Sequence, residues 1–185
     1  MLRATELAHI ALDRCLAPGD WAVDATAGNG HDTAWLAQRV GEKGRVFAFD
    51  VQEAAITAAT ARVRGLPQVT LIHAGHERLS ELLPPQARGQ LAGVMFNLGY
   101  LPGGSKDLIT HADTTLAALE QALAFLKQRG LITLVLYPGH PGGADEAAAV
   151  RSFVHGLPPA FSASHFARIT SVGPAPELLI IERVA

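Results

Sequence analysis

A glycine turn between an apolar run and an amphipathic segment constrains the fold of this chain more than any other feature. Residues 21–37 read Trp-Ala-Val-Asp-Ala-Thr-Ala-Gly-Asn-Gly-His-Asp-Thr-Ala-Trp-Leu-Ala, which predicts a buried strand, a tight turn and the start of a helix. A second apolar run, residues 45–49, ends on Asp50, about twenty residues after the turn. This order is typical of the nucleoside-binding half of a doubly wound α/β sheet.

The turn and the acidic strand end suit the two parts of a nucleoside ligand. Gly28 and Gly30 allow the backbone to bend sharply and to approach a ligand closely. Asp50 offers carboxylate oxygens that accept hydrogen bonds from both hydroxyl groups of a ribose. Together, the glycines and the carboxylate predict a nucleoside site.

The residues around the turn favour S-adenosylmethionine over a dinucleotide. A dinucleotide fingerprint has a third glycine where this chain has Thr33, and Asp24 and Asp32 would repel a pyrophosphate. S-adenosylmethionine has an ammonium group, which a carboxylate attracts, and no phosphate. The alternative for Asp32 is that its charge only complements the dipole of the following helix.

Length and composition predict one domain over residues 1–185, located in the cytoplasm. Of the 185 residues, 49% are hydrophobic and 17% are charged, which suits a single compact core. The first residues mix charge with apolar side chains, unlike a signal peptide, and no apolar run approaches the ~20 residues that span a bilayer. Cys15 is the one cysteine, so an intrachain disulfide is excluded.

Helices and short apolar strands alternate along most of the chain, and two adjoining strands follow. The pattern predicts an α/β fold of the Rossmann-like class I methyltransferase type, with seven mostly parallel strands, helices on both faces and a C-terminal antiparallel hairpin. Ligands bind such sheets at the carboxyl ends of the strands. The predicted helices cover residues 3–16, 30–40, 52–63, 77–83, 110–128 and 144–156, and the strands cover residues 21–25, 45–50, 69–74, 91–97, 131–137, 161–169 and 178–184.

The fourth predicted strand leads into a second informative segment, residues 94–107. Asn97 and Tyr100 are spaced as in the Asn-Pro-Pro-Tyr motif of amine methyltransferases, although Leu98-Gly99 replaces the two prolines. In that arrangement the Asn oxygen accepts a hydrogen bond from the target nitrogen and aims its lone pair at the methyl group. The aromatic ring packs on a planar substrate. The alternative is a turn that merely ends the strand.

Methyl transfer to an amine needs oriented reactants and a neutral nitrogen more than a strong base. His140, His76 and His31 are the candidate bases, because histidine changes charge near neutral pH. Each also has the alternative interpretation of a hydrogen-bonded loop residue. The eight histidines form no metal-binding pattern, so no metal is predicted.

Several motifs, in order along nearly the whole chain, resemble the MnmM family. They are Asp24-Ala-Thr-Ala-Gly-Asn-Gly-His-Asp-Thr33, Ala48-Phe-Asp-Val-Gln52, Gly75-His-Glu77, Asn97-Leu-Gly-Tyr-Leu-Pro-Gly-Gly104, Tyr137-Pro-Gly-His-Pro-Gly-Gly143 and Pro176-Glu-Leu-Leu-Ile-Ile-Glu182. The resemblance implies S-adenosylmethionine-dependent methylation of the aminomethyl nitrogen of 5-aminomethyluridine, often 2-thiolated, at the tRNA wobble position. The product would be 5-methylaminomethyluridine, and the resemblance also implies a homodimer.

The resemblance, together with the glycine turn, assigns the site. The predicted cofactor-binding residues are Asp24, Thr26, Gly28, Asn29, Gly30, His31, Asp32, Asp50, Gln52, Gly75 and His76. Those predicted to border the target base are Leu98, Gly99, Gly103, Gly104 and Tyr137, and the predicted catalytic residues are Asn97, Tyr100 and His140. The third strand departs from the family, because it ends on His73-Ala-Gly-His where Asp-Ser-His or Asp-Gly-His is expected.

The tRNA anticodon loop is the predicted partner, but the overall charge supports it weakly. A net charge of −2 and a pI of about 6.4 do not suit a surface that grips RNA everywhere. The cations either form a local patch, which would suffice for a short loop, or lie scattered. They are Arg62, Arg64, Arg78, Arg88, Lys106, Lys127, Arg129, Arg151 and Arg168.

Other functions are compatible with parts of the pattern. A methyltransferase for a small-molecule amine or for another RNA base would keep every cofactor residue. A cofactor-binding protein without activity would not need Asn97 and Tyr100, and Thr33 disfavours an NAD-dependent dehydrogenase. No membrane partner is predicted.

Overall fold

The computed structural model describes residues 2–99, 110–168 and 173–185. None of the helices in these ranges is long and apolar enough to cross a membrane. The helices are α1 (Ala4–Asp13), α2 (His31–Val40), α3 (Glu53–Arg62), α4 (Leu79–Leu82), α5 (Ala112–Phe125) and α6 (Gly143–His155). The strands are β1 (Trp21–Asp24), β2 (Arg45–Asp50), β3 (Val69–His73), β4 (Leu91–Leu98), β5 (Leu126–Leu136), β6 (Phe161–Phe166) and β7 (Glu177–Arg183).

These strands form one sheet in the order β3-β2-β1-β4-β5-β7-β6. β7 runs antiparallel to both β5 and β6, and the other neighbouring strands are parallel. The chain adds β2 and β3 on one side of β1 and then crosses to β4 on the other side. This reversal of strand order leaves a crevice at the carboxyl ends of β1 and β4. The predicted mostly parallel sheet with a C-terminal hairpin is confirmed.

Side chains of β4 alternate between two apolar layers. Phe96 and Leu98 join the layer covered by α5 and α6, whereas Met95 joins the layer covered by α1 and α2. Each large side chain buried in this way stabilises the fold by roughly 1.5–3 kcal/mol. Because side chains of a strand alternate with a period of two, Asn97 lies on the same face as Met95. The alternation therefore directs Asn97 toward α1 and α2.

The glycine turn is fixed by its contact with α3. Gly30 precedes α2 in a left-handed conformation with φ of 76°. A Cβ atom at this position would lie 2.8 Å from the Cα atom of Ala59. Arg62 donates a hydrogen bond from Nε to the Asn29 carbonyl at 2.7 Å. Only glycine combines this backbone angle with this close approach of α3.

The predicted helix over residues 110–128 ends earlier, at Phe125. The next residue, Leu126, pairs with Leu91 of β4 and is fully buried. Arg129 then takes a left-handed φ of 62°. Pairing with β4 has therefore replaced the last predicted helical turn with an irregular start of β5.

The bounds of other elements also differ from the prediction. The predicted helix over residues 77–83 is divided into a 3₁₀ turn, His76–Arg78, and the short helix α4. The predicted strand over residues 161–169 ends at Phe166 in β6, and residue 169 lies outside the described ranges.

Candidate active site

A cleft of about 700 Å³ lies at the carboxyl ends of β1, β4 and β5. Its volume suits a small organic ligand or cofactor. The predicted site residues that line it come from the glycine turn, the end of β4 and the loop after β5. They are Thr26, Gly28, Asn29, His31, Asp32, Asn97, Gly99, Tyr137 and His140.

The other predicted site residues fall into three groups. Three of them, Tyr100, Gly103 and Gly104, lie outside the described residues. Leu98 is buried in the layer of α5 and α6, so only its backbone is left to meet a ligand. The remaining ones do not line the cleft, and they are Asp24, Gly30, Asp50, Gln52, Gly75 and His76.

Asp50 connects β2 to the glycine turn. One carboxylate oxygen accepts a hydrogen bond of 2.9 Å from the Gly28 amide, and the other accepts one of 2.9 Å from the Gln52 amide. Each oxygen keeps a further lone pair for a ligand hydroxyl group. The adjacent Val51 is 60% exposed. An apolar surface thus lies beside a hydrogen-bond acceptor.

Asp24 supports the turn from below. It is fully buried, and its carboxylate accepts hydrogen bonds from the Thr33 hydroxyl at 2.6 Å and from the Thr26 amide at 3.1 Å. Burial, followed by the charge of Asp32, raises the pKa of Asp24 to about 7. Asp24 would therefore affect a cofactor by stabilising the turn and not by contacting the cofactor directly.

Asn97 is held by polar contacts from two other elements. Its side-chain amide donates a hydrogen bond of 2.5 Å to Asp32, and its backbone amide donates one of 2.8 Å to the Thr26 hydroxyl. The Asn97 Oδ1 atom is buried and has no hydrogen-bond partner among the described residues. A buried acceptor without a partner is costly unless a ligand satisfies it. This atom is therefore a candidate acceptor for a substrate N–H group.

Asp32 has a partner on its other side as well. Its second carboxylate oxygen lies 2.7 Å from His9 Nε2 of α1. Both carboxylate oxygens of Asp32 are thus engaged within the protein. Asp32 is predicted to attract a ligand ammonium, and it would have to do so while keeping these two contacts. The alternative of a helix-dipole residue is also compatible with its place in the first turn of α2.

The loop after β5 packs against the end of β4. A Cβ atom added to Gly99 would lie 3.6 Å from both His140 Nε2 and the Tyr137 ring. Burial, followed by the charge of Asp32, raises the pKa of Tyr137, so its phenol stays protonated. The Gly99 carbonyl accepts a hydrogen bond of 3.0 Å from the Thr110 amide. This bond joins the two ends of the segment that contains Tyr100.

The tip of β3 does not deliver a base to the cleft. His76 is buried, its Nδ1 atom donates to the Ala25 carbonyl at 3.0 Å, and burial lowers its pKa. The missing side chain of Gly75 leaves room for the Glu77 carboxylate. His73 Nε2 lies 3.0 Å from the Val51 carbonyl, so the residue that departs from the family pattern contacts the backbone beside Asp50.

Sequence reasoning missed several residues at the cleft. Thr5, Pro174 and Pro176 line it, and His9 lies behind it against Asp32. Thr5 and His9 are four residues apart, which places them on one face of α1. Nothing in the sequence indicates that this face packs beside β4, so the spacing alone could not have identified them.

The predicted RNA-binding cations are partly engaged in local contacts. Lys127, Arg129 and Arg151 pair with carboxylates at 2.6, 3.6 and 2.8 Å. Arg78 pairs with a carboxylate at 2.6 Å, and Lys106 lies outside the described residues. A local basic patch stays a prediction. Across the described ranges, no three His, Cys, Asp or Glu side chains are arranged to hold a metal ion.

A family model described as "Putative rRNA methylase" matches residues 46–182. The chain belongs to this family. It is 42% identical over 167 residues to the chloroplastic tRNA (mnm(5)s(2)U34)-methyltransferase of Arabidopsis thaliana, an alignment that covers 84% of this chain. The chain spans 60% of the length of that relative. The family resemblance predicted from the motifs is confirmed.

Solved structures of the family show the same fold. A protein of the same description from Clostridium thermocellum is 37% identical, with a TM-score of 0.94 and coverage of 99% of this chain and 98% of that one. A protein from Streptococcus mutans, solved in complex with SAH, is 32% identical, with a TM-score of 0.88 and coverage of 99% of both chains. The predicted class I methyltransferase fold is confirmed.

Proposed function

We propose that this protein is an S-adenosylmethionine-dependent N-methyltransferase that converts 5-aminomethyluridine, with or without a 2-thio group, at the tRNA wobble position to 5-methylaminomethyluridine. One observation carries the choice of an amine as acceptor. The Asn97 Oδ1 atom is buried at the cleft and has no hydrogen-bond partner among the described residues. An amide oxygen with a free lone pair fits a substrate N–H group.

The cofactor half of the cleft fits S-adenosylmethionine. Gly28 and Asn29 of the turn line the cleft. Asp50 lies next to this lining, bonded to the Gly28 amide, and offers acceptors that suit ribose hydroxyl groups. The exposed Val51 side chain gives an apolar surface for a base. When bound, this cofactor supplies a methyl group activated by a positively charged sulfur. SAH in the relative from Streptococcus mutans supports the assignment.

The acceptor half of the cleft would orient the amine. Asn97 would accept one N–H hydrogen bond, which leaves the nitrogen lone pair free to form the new C–N bond as the C–S bond breaks. The nitrogen must be neutral before transfer, and the resulting secondary ammonium can release its proton to water. Tyr137 stays protonated because its pKa is raised, so it is a hydrogen-bond donor and a packing surface rather than a base.

Support for the tRNA substrate comes from the Arabidopsis relative, whose name places its action on a modified uridine at position 34 of tRNA. An aminomethyl group on that base is an exocyclic amine, whose N–H group can donate to Asn97 Oδ1. The family description names ribosomal RNA instead, so another RNA base is the second candidate. A small-molecule amine is the third, because the described residues of the cleft include no feature that demands RNA.

We also expect the protein to have one domain, to form a homodimer and to lie in the cytoplasm. Both halves of the site are joined by one sheet, so we expect a single domain to suffice. The exposed Ile10 side chain on α1 is compatible with the predicted homodimer, which light scattering after size-exclusion chromatography would test. The cytoplasm is the predicted location, and cell fractionation would test it.

The deciding experiment is nucleoside mass spectrometry of RNA incubated with the protein and S-adenosylmethionine. One arm contains tRNA with 5-aminomethyl-2-thiouridine, a second contains ribosomal RNA, and a third contains free small amines. We expect one methyl group to be gained on the wobble nucleoside and lost in the Asn97→Ala variant. Methylation confined to the second or third arm would show that the substrate is ribosomal RNA or a small amine, and would leave the assignment as a methyltransferase unchanged.

A further inference from the structure

A chain of three side chains runs from α1 through α2 to β4. His9 Nε2 lies 2.7 Å from one carboxylate oxygen of Asp32, and the other oxygen accepts the 2.5 Å hydrogen bond from Asn97 Nδ2. An ionised carboxylate only accepts hydrogen bonds. The side-chain group of Asn97 that faces Asp32 must therefore be its NH₂ group, and its oxygen must face the other way.

His9 is itself held in place by packing. Its ring stacks on Trp35 with a centroid distance of 4.2 Å and an interplanar angle of 3°. The guanidinium of Arg39 lies 5.2 Å from the Trp35 ring centroid, and Arg39 pairs with Asp13 at 2.6 Å. The stack fixes the plane of the imidazole ring, so its nitrogen can be directed at Asp32 with little loss of rotamer freedom.

The fold makes these contacts possible between distant parts of the chain. Asp32 and Trp35 are three residues apart on α2, so they share one helix face, and His9 contacts both. The alternation along β4 puts Asn97 on the side of the sheet that this face covers. The chain of contacts ends at Asn97 Oδ1, the buried atom without a partner among the described residues.

We propose that His9 is a positioning residue, which acts through Asp32 to hold the Asn97 side chain with its oxygen toward the substrate amine. The inference rests on the proposed function for the identity of the acceptor, but the side-chain geometry does not depend on it. If Asn97 turned over, its NH₂ group would face the amine and could only donate a hydrogen bond to the nitrogen lone pair, which must be free to attack the methyl group. Holding Asn97 in one orientation therefore favours a methyl-accepting substrate that has an N–H group to donate.

Two substitutions separate the hydrogen bond of His9 from its packing. His9→Phe keeps a ring to stack on Trp35 and removes the contact with Asp32, whereas His9→Gln replaces the ring with an amide that can still donate to Asp32. We expect His9→Phe to lower kcat for methylation of the aminomethyl nucleoside in tRNA by about tenfold. Its KM for S-adenosylmethionine should change by less than about twofold. His9→Gln should restore most of the lost kcat.

A double-mutant cycle tests whether His9 acts through Asp32. In an Asp32→Asn background, His9→Phe should lower kcat by no more than about twofold further, because the contact that it removes is already disrupted. The matched control is His165→Phe on β6, which removes a histidine–carboxylate pair of 2.9 Å with Glu177 on β7 and should leave kcat unchanged. Full additivity of the two losses would overturn the positioning role.

A second readout requires no substrate. The Asn97 side-chain amide gives a pair of signals in a ¹H–¹⁵N spectrum, which are assigned by their disappearance in Asn97→Ala. We expect these signals to shift in His9→Phe and to return toward their original positions in His9→Gln. Unchanged signals in His9→Phe would rule out the positioning role of His9 and would leave the proposed methylation reaction unaffected. A wild-type protein that methylates no amine would instead refute the proposed function, and the spectra would still decide the role of His9.

Discussion

The Gly28 amide donates a hydrogen bond of 2.9 Å to Asp50, and so joins two parts of the candidate site that are 22 residues apart in the chain. The glycine turn and the end of β2 are thus one structure rather than two independent ligand contacts. Loss of the Asp50 carboxylate would affect both the ribose acceptors and the shape of the turn.

Asp50→Ala should therefore weaken binding of S-adenosylmethionine by about 100-fold or more, since it removes hydrogen bonds to a charged acceptor and loosens the turn. Isothermal titration calorimetry measures this directly. Glu42→Gln removes an exposed carboxylate outside the cleft and serves as the control. Equal affinities of the Asp50 variant and the wild-type protein would show that this carboxylate does not contact the cofactor.

Asn97→Asp should bind S-adenosylmethionine with little change but lose at least about 100-fold in kcat. The new carboxylate would face Asp32 at a distance where like charges repel, so the side chain would turn away from its present position. Cofactor affinity and single-turnover methylation are the two measurements. A parallel loss of both would contradict the assignment of Asn97 to the acceptor half.

Gly30→Ala should destabilise the fold by about 2–3 kcal/mol, because a left-handed alanine costs about 1 kcal/mol and the Cβ atom would press on Ala59. Gly89→Ala is the matched control, since Gly89 has a similar φ of 71° but no atom within 4 Å of the added Cβ. Urea denaturation compares the two free energies of unfolding. Similar losses of unfolding free energy in both variants would mean that α3 can shift to accommodate the added Cβ atom at little cost.

The pH dependence of stability should contain a contribution from Asp24. Its pKa is about 7 in the folded protein because of burial, against about 3.9 for an unfolded aspartate. Between these values the folded state holds a proton that the unfolded chain has lost. The contribution of Asp24 to the free energy of unfolding therefore decreases as the pH rises from about 4 to about 7, and then levels off.

Asp24→Asn removes this titration and should flatten the decrease over the same pH range. Urea denaturation of both proteins between pH 5 and pH 8, in about half-unit steps, gives the difference. Asp145→Asn, at an exposed position on α6, controls for the general change in charge. An identical pH profile for wild-type protein and Asp24→Asn would mean that Asp24 is ionised throughout this range.

Glu146→Ala should lower the free energy of unfolding by about 2–4 kcal/mol, because it leaves a cavity and two hydroxyl groups without their acceptor. The Glu146 carboxylate is buried and accepts hydrogen bonds of 2.7 Å from both Thr110 and Thr115. Glu146→Gln should lose far less, since a threonine hydroxyl can also accept. The exposed Glu120→Ala on α5 is the control in thermal and urea unfolding.

Local patterns were sufficient to predict the sheet. Alternating apolar runs and helical segments predicted the seven strands. The turn at Gly28 and the acidic end at Asp50, predicted to bind the cofactor, are joined by a hydrogen bond. Errors arose where tertiary contacts decided the outcome. Leu126 left the predicted helix because pairing with Leu91 buries it, which no local preference indicates.

The candidate site was predicted less completely than the fold, for a similar reason. Asn97 was recognised by a motif, and its buried oxygen agrees with the predicted acceptor role. His9 belongs to no motif, because its contacts with Asp32 and Trp35 depend on how α1 packs against α2. Residues that touch a ligand tend to leave a local signature, whereas residues that orient them are defined by contacts between distant segments.

The hydrogen bond between the Gly99 carbonyl and the Thr110 amide connects the end of β4 to the residues just before α5. The two residues flank a segment of ten amino acids, 100–109, and their 3.0 Å hydrogen bond holds the two ends of this segment together. Insertions, deletions or exchanges between the two positions need not displace β4 or α5. If the proposed function holds, exchanging this segment would change the acceptor side of the site while the glycine turn and Asp50 keep their positions.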